Sequence, residues 1–221
     1  MVDIELLARD FTDAASSEPP NLARAALLIG RLEHPRLDPE PYLSRLDRLG
    51  DEARQRLDGV TETADQFEQL AGYLFQDQDF TGNRDDYEDP RNSCLHHVLE
   101  RQTGIPVTLA IVFLEVAQRA GVDAAGVGFP GHFLVRGTAE PTGRSRIPLV
   151  IDPFDGGRRL NESNCRVLLR QHLGDDAEFD LRFLDAASSR QILVRVLGNL
   201  KRMYVRLRSF PQARGVTELL L

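Results

Sequence analysis

Hydrophobic residues recur at helical spacing through the first eighty residues of the chain. One stripe of apolar side chains, three and four positions apart, is formed by Leu22, Ala25, Ala26, Ile29 and Leu32. Gly30 falls within this stripe, and we expect it to weaken the helix only modestly. Asp38-Pro39 then offers an N-cap followed by proline at the first helical position. Residues 1–80 are therefore predicted to form a helical N-terminal subdomain.

The middle of the chain predicts two more helices after a polar, turn-rich loop at residues 76–88. The first begins at Asp89-Pro90 and ends at Gly104. The second follows Pro106 and ends at Gly121. Because its apolar residues leave little polar face, this second helix should be central and buried.

After Gly121 the hydrophobic period shortens and predicts strands. Short strands are expected at residues 125–129, 133–136 and 147–152. The connection at residues 137–145 is rich in Gly, Pro and Thr and is typical of a hairpin loop. Together with the preceding helices, this predicts an α+β core at residues 89–175 with a small antiparallel sheet.

The last third of the chain returns to helical spacing near Asn161. Ser188 and Gln191 have the spacing of a capping box and open a long helix. A further segment begins at Pro211, which predicts a helical hairpin at residues 186–221 that resembles one unit of a helical repeat. The terminal residues Leu219 to Leu221 are expected to form an exposed apolar patch that needs cover, so we expect a dimer contact or a missing C-terminal segment over them.

Composition narrows the class of protein. The chain has 221 residues, of which 42% are hydrophobic, and a net charge of -7, which argues against nucleic acid or an anionic membrane as a partner. No apolar run has transmembrane length, and the N-terminus does not resemble a signal peptide. Cys94 and Cys165 make no disulfide framework. We expect a cytoplasmic protein. The sequence contains no phosphate-binding glycine loop, and we expect the protein to use no cofactor.

Two titratable residues stand among apolar ones on adjacent predicted strands. His132 follows Phe129-Pro130-Gly131, and Asp152 precedes Pro153 near the end of a strand. Such a pair can meet across a sheet, where the carboxylate fixes the imidazole tautomer and frees the second nitrogen as a base. The alternative for each residue alone is structural, a core histidine and a turn-initiating aspartate.

A nucleophile is harder to find. The start of the buried helix, where a thiol would have a lowered pKa, contains no cysteine, and Thr108 is its only hydroxyl. Thr108 could be a nucleophile or could cap the helix. Cys94, one helix earlier, could lie near His132 or could be a small buried apolar residue. Cys165 is expected to pack in the core.

The pair His96-His97 with Glu100 suggests a metal site. His97 and Glu100 share a helix face at a spacing of three. Adjacent histidines are expected to point to different faces, however, and no second cluster completes a coordination sphere. No metal site is therefore predicted.

Four ordered blocks of sequence resemble the bacterial SirB-type transglutaminase-like family. They are DPRNS at residues 89–93, GIPVTL at 104–109, GVGFPGHFLVR at 126–136 and IDPFDGG at 151–157. The resemblance implies a papain/transglutaminase-like α+β core and a C-terminal tetratricopeptide-like region. It also implies that His132 and Asp152 stand where active enzymes keep their His and Asp, and that the catalytic Cys position, at residues 106–108, has lost its thiol.

Two hypotheses of function follow. The first is a non-catalytic, regulatory protein that binds a protein partner through the degenerate cleft and the helical repeats. Arg91, Asn92 and Pro130 are its candidate binding residues beside the pair. The alternative is an acyl-transfer or amide-hydrolysing enzyme, with His132 as base, Asp152 as orienter and Thr108 or Cys94 as nucleophile.

Overall fold

The computed structural model describes residues 3–138 and 147–221, so most of the predicted hairpin connection at 137–145 lies outside the described residues. The N-terminal region is helical, as predicted. Its helices are α1 (Ile4–Ser16), α2 (Leu22–Ile29), α3 (Glu40–Arg56) and α4 (Thr63–Gly72). A 3-10 turn, Gly30–Leu32, follows α2, and a π-helical turn, Tyr73–Asp77, follows α4.

Gly30 ends helix α2 rather than merely weakening it. A Cβ atom at this position would lie 2.5 Å from Nδ1 of His96 and 2.8 Å from Cδ2 of Leu37. The chain therefore needs glycine here because another side chain packs directly on its backbone.

The central helices differ from the prediction at their ends. A 3-10 turn, Pro90–Ser93, and extended backbone at Cys94 separate the Asp89 cap from α5 (Leu95–Arg101). Helix α5 then ends at Gln102, which has left-handed backbone (φ 54°), and Gly104 belongs to a strand instead. Helix α6 (Pro106–Ala120) begins and ends as predicted and is buried along almost its whole length.

Four strands form an antiparallel sheet within the described residues, and they lie side by side in the order in which they follow one another along the chain. They are β3 (Ala124–Val127), β4 (Leu134–Gly137), β5 (Val150–Asp152) and β6 (Arg158–Leu160). Strand β6 was not predicted, since its two exposed arginines give no alternation of hydrophobic residues. A short parallel pair, β1 (Thr81–Gly82) and β2 (Thr103–Gly104), was also missed, because two-residue strands carry no pattern.

The C-terminal helices are α7 (Glu162–Leu173), α8 (Ser189–Arg206) and α9 (Phe210–Leu220). The capping box of Ser188 and Gln191 forms at the start of α8, as predicted. Helix α9 packs on α8 and α1. The expectation of an exposed leucine end needs correction: Leu219 is buried and Leu220 half-buried, and only Leu221 is fully exposed, at 97%.

The main hydrophobic core lies between the helices and one face of the sheet. The sheet contributes Val135 and Ile151, with Phe133 just before β4, and the helices that contribute are the N-terminal ones, α5, α6, α8 and α9. Leu134 and Val150 alternate to the other face and join a smaller core under α7, which contains the buried Cys165. The architecture confirms the α+β class. The division into three segments stays a prediction. No helix in the described part of the chain is long and apolar enough to cross a membrane.

Candidate functional site

His132 and Asp152 meet at one end of the sheet. His132 lies in the turn before β4, where its N–H donates to the carbonyl of Phe129 at 3.0 Å, and Asp152 is the last residue of β5. The antiparallel register, which pairs Val135 with Ile151, brings the end of β5 beside the start of β4. His132 Nε2 lies 2.9 Å from Asp152 Oδ1, and the two side chains are only 10% and 5% exposed.

The Asp152 carboxylate fixes the orientation of the imidazole. Because a carboxylate only accepts, Nε2 is the donor, and Nδ1 is the nitrogen left with a lone pair. The same Asp152 oxygen accepts the N–H of Phe154 at 2.9 Å. The His132 ring is flanked by the edge of Phe154 and by the stacked ring of His172, at centroid distances of 6.2 Å and 5.6 Å. This geometry is the one that the Asp and His of a catalytic triad adopt.

The turn before His132 contains a glycine that its neighbour requires. Gly131 has a φ of +74°, and a Cβ there would lie 2.5 Å from Cβ of His172. Pro130, proposed as a binding residue, precedes it and is half-buried. The close approach at this turn is therefore made by helix α7.

The hydroxyl of Thr108 hydrogen-bonds to main-chain groups. Its hydroxyl lies 2.6 Å from the carbonyl of Asn92 and 3.0 Å from that of Ile105, and it accepts the N–H of Ile105 at 3.2 Å. The side chain is fully buried. A hydroxyl enclosed in this way caps α6 and offers no free oxygen for attack.

Cys94 is equally enclosed. It is buried, and burial, followed by the charges of Glu33 and Asp89, raises the pKa of its thiol far above the ordinary range. The thiolate that a nucleophilic role needs is therefore suppressed. The only side-chain hydrogen bond to the His132 ring among residues 3–138 and 147–221 comes from Asp152.

Asn92 and Arg91 were predicted to line the cleft, and their side chains are engaged in local contacts. Asn92 is buried, and its Nδ2 donates to the carbonyl of Asp86 at 2.7 Å while its Oδ1 accepts from Asn83 at 3.1 Å. Arg91 forms an ion pair with Asp89 at 2.7 Å. Asn92 therefore holds the preceding loop against the start of α6.

A basic groove beside the His132 turn was not predicted. Arg195 and Arg202 of α8 line two adjoining cavities. The cavity of about 450 Å³ is also lined by Gly128, and the cavity of about 250 Å³ by Gly131. Arg195 Nη2 donates to the main-chain oxygen of His132 at 3.3 Å. We call this the arginine groove. The signal was present in the sequence, since residues 195, 199, 202 and 206 share one helix face.

Charge in the arginine groove is only partly neutralised. Arg206 pairs with Glu88, whereas neither Arg195 nor Arg202 has a carboxylate within ion-pair distance in the described chain. Burial, and then the charge of Arg202, lowers the pKa of Arg195. Both effects disfavour the charged form of the guanidinium, and an anionic ligand beside Arg195 would stabilise it.

A sequence profile described as the transglutaminase-like superfamily matches residues 40–198. The match includes the His132–Asp152 pair and helix α6. The chain belongs to the transglutaminase-like superfamily.

Similarity to individual proteins identifies the family of this transglutaminase-like chain within the superfamily. It is 40% identical to a UPF0162 protein of Xylella fastidiosa over 83% of the chain and 64% of the relative, and 34% identical to a UPF0162 protein of Pseudomonas aeruginosa over 87% and 68%. It is 27% identical to Protein SirB1 of Salmonella typhimurium over 80% of the chain and 64% of that protein. The chain thus spans about two thirds of the length of these relatives. No solved structure matches it.

These relatives confirm the SirB-type transglutaminase-like family that the four sequence blocks indicated. Membership agrees with the α+β fold, and the roles of His132 and Asp152 stay a prediction. The tetratricopeptide-like continuation of α8 and α9 stays a prediction.

The premises used against a metal site need correction. The rings of His96 and His97 do not diverge, since their centroids lie 4.0 Å apart. His34 completes a three-histidine group whose ligand nitrogens all lie within 4.8 Å of one another. His34 and His96 are 62 positions apart in the sequence, so their contact could not be predicted from spacing. It depends on the packing of α5 against the chain after α2.

Proposed function

We propose that this chain is a non-catalytic transglutaminase-like protein that binds an acidic segment of a protein partner in the arginine groove. The observation that carries the proposal is the state of the candidate nucleophiles. Thr108 is enclosed by main-chain hydrogen bonds and Cys94 is buried with a raised pKa, while the His132–Asp152 pair is intact. A base without a nucleophile supports binding rather than acyl transfer.

The groove itself supports the choice of partner. Arg195 and Arg202 present two guanidinium groups without carboxylate partners in the described chain, beside a turn that exposes main chain at Gly128. Arginine pairs with carboxylates through two parallel hydrogen bonds, so Asp and Glu side chains of an extended segment fit this surface. A regulatory role in the cytoplasm completes the proposal, and two free cysteines agree with a reducing compartment.

The non-catalytic part is tested by amine incorporation into a glutamine-rich protein substrate. We expect the rate with the full chain to equal the rate without it. Incorporation that disappears in both His132→Ala and Cys94→Ser, with folding checked by circular dichroism, would establish the enzyme instead.

The binding part is tested with a fluorescent octaglutamate peptide and the double variant Arg195→Gln/Arg202→Gln. We expect about a 10-fold loss of affinity, which corresponds to about 0.7 kcal/mol for each partly exposed ion pair. The matched control is Arg190→Gln/Lys201→Gln, which removes the same charge from exposed positions of α8. Equal losses in the two double variants would show non-specific attraction and defeat the proposal.

A further inference from the structure

Three of the five histidines of the chain lie together, away from the residues used above. His34 lies after the 3-10 turn that follows α2, and His96 and His97 are in the first turn of α5. Each ring offers one nitrogen, and the three nitrogens lie within 4.8 Å of one another. Ring centroids are 5.3 Å apart for His34 and either partner.

The spacing of two nitrogens already matches a metal coordination edge. His34 Nε2 and His97 Nε2 lie 3.3 Å apart. With Zn–N bonds of about 2.0 to 2.1 Å, two ligands of a tetrahedral site are separated by about 3.3 Å. The same distance fits a hydrogen bond between neutral imidazoles, so this contact alone does not decide the matter.

His96 supplies the second, independent observation. Its side chain is only 2% exposed, and both of its ring nitrogens are buried without a hydrogen-bond partner. An unsatisfied buried polar group costs about 1 to 3 kcal/mol and calls for an explanation. One of these nitrogens is a member of the three-nitrogen group, so a metal ion in that group would satisfy it.

Carboxylate support is present behind His97. Glu100 Oε2 lies 3.4 Å from His97 Nδ1, and Tyr42 donates to the other Glu100 oxygen at 2.6 Å. A carboxylate on one nitrogen of a histidine fixes the tautomer and turns the other nitrogen toward a metal.

The backbone and the solvent side are consistent with such a site. Gly30 allows His96 to pack against the main chain at a distance that any Cβ would forbid. On the other side the three histidines border an open cavity of about 760 Å³. Three protein ligands with access to solvent leave a fourth position for water or an anionic group.

We propose that His34, His96 and His97 bind a divalent transition-metal ion, with zinc as the favoured metal, and that Glu100 positions His97. The group consists of three imidazoles, which are preferred ligands of zinc, whereas calcium and magnesium prefer several oxygen ligands. This inference is independent of the proposed function, since it shares no residue with the arginine groove or the His132–Asp152 pair.

The test titrates tag-free, chelator-treated protein with Zn²⁺ against a chromophoric chelator. We expect one equivalent to bind and His34→Gln to weaken binding by more than about 100-fold, because it removes a direct ligand. His34 is exposed, so this variant should fold normally. The matched control is His172→Gln, which makes the same substitution at a histidine outside the cluster and should bind Zn²⁺ as the parent does.

Co²⁺ provides a second readout of geometry. Bound at this site it should give the intense visible absorption of tetrahedral cobalt, which His34→Gln abolishes and Glu100→Gln retains in altered form with about 10- to 100-fold weaker binding. Zn²⁺ binding that is unchanged in His34→Gln, or that is lost in His172→Gln instead, would overturn the proposal. So would the absence of any stoichiometric binding.

Discussion

The His132 ring donates to the Asp152 carboxylate across 2.9 Å, and both groups are buried at the end of the sheet. The same oxygen of Asp152 accepts the N–H of Phe154, which lies in the turn after β5. One carboxylate thus holds an imidazole and a main-chain donor together. The pair therefore has a structural role that requires no nucleophile, which agrees with the proposed non-catalytic function.

Asp152→Ala should destabilise the fold by about 3 kcal/mol, because it leaves one buried donor, on His132, and one part-buried donor, on Phe154, without an acceptor. Asp152→Asn keeps an acceptor for both and should cost about 1 kcal/mol. Urea denaturation at pH 7 measures both. The control is Asp155→Ala on the same turn, where only more exposed ion pairs with Arg84 and Arg158 are lost and about 0.5 kcal/mol is expected. Equal costs for the two Asp152 variants would contradict the hydrogen-bonding role.

Gly30→Ala should destabilise the protein by about 1 to 3 kcal/mol through overpacking against the His96 ring. The backbone at Gly30 is helical, so without that contact alanine would be favourable by about 0.5 to 1 kcal/mol. Gly198→Ala is the matched control, because a Cβ there meets nothing within 4 Å. It should be neutral or stabilising in thermal unfolding.

A double-mutant cycle then isolates the contact. If His96→Ala is combined with Gly30→Ala, the cost of the glycine substitution should fall, since the ring atoms that clash have been removed. The measurements are made with a chelator present. Strict additivity would show that the packing of His96 on Gly30 does not exist in solution.

Thr108→Val should lower the free energy of unfolding by about 1 to 2 kcal/mol, whereas Thr108→Ser should be closer to the parent. Valine keeps the shape but removes the hydroxyl that bonds the main chain of Asn92 and Ile105. Equilibrium denaturation of both variants separates the hydroxyl from the methyl group. If Val and Ser cost the same, packing rather than capping explains this position.

Neither cysteine should react with Ellman's reagent in the native protein at pH 8. Burial raises the pKa of Cys94 strongly, and burial, then Glu162, raises the pKa of Cys165 to about 11. Both should react in guanidinium chloride, which gives the total of two thiols. Fast native labelling that Cys94→Ser removes would indicate an accessible thiolate and revive the enzyme hypothesis.

Local patterns predicted the elements that frame the site. The shift from helical spacing to short strands at Gly121 and the flanking Pro130-Gly131 and Asp152-Pro153 turns predicted His132 and Asp152 on neighbouring strands. The structure joins the two side chains but has His132 in the turn before β4. The capping box of Ser188 was equally readable, because all its interactions lie within four residues.

Contacts between distant segments could not be read in this way. His34 meets His96 and His97 only because the chain after α2 packs beside α5, and no sequence period records that packing. The pairing of β1 with β2 rests on main-chain hydrogen bonds that any residue can make. Arg195 is the opposite case, since helical spacing alone would have shown a basic face on α8.

Two Asp-x-Arg turns of the chain differ in burial. Asp89 accepts the N–H and the guanidinium of Arg91, and Asp180 makes the same bonds to Arg182, but the Asp89 side chain is 7% exposed and the Asp180 side chain 38%. Burial acts to raise the pKa of Asp89, and the hydrogen bonds from Arg91 outweigh it, so the pKa falls below 3.8. The hydrogen bond from the Arg182 side chain lowers the pKa of Asp180 to about 2.

We expect Asp89→Asn to cost about 1 to 3 kcal/mol at pH 7 and Asp180→Asn much less, because solvent screens the exposed pair. A carboxyl with a lowered pKa stabilises the fold above its unfolded pKa, and this contribution is lost as the pH falls through the folded value. The gap in unfolding free energy between the parent and Asp89→Asn should therefore stay constant from pH 7 to about 4.5 and close below pH 3.8. Urea titrations across this range measure the gap. A larger effect at Asp180 would show that hydrogen bonding to arginine, and not burial, determines how much these turns contribute to the free energy of unfolding.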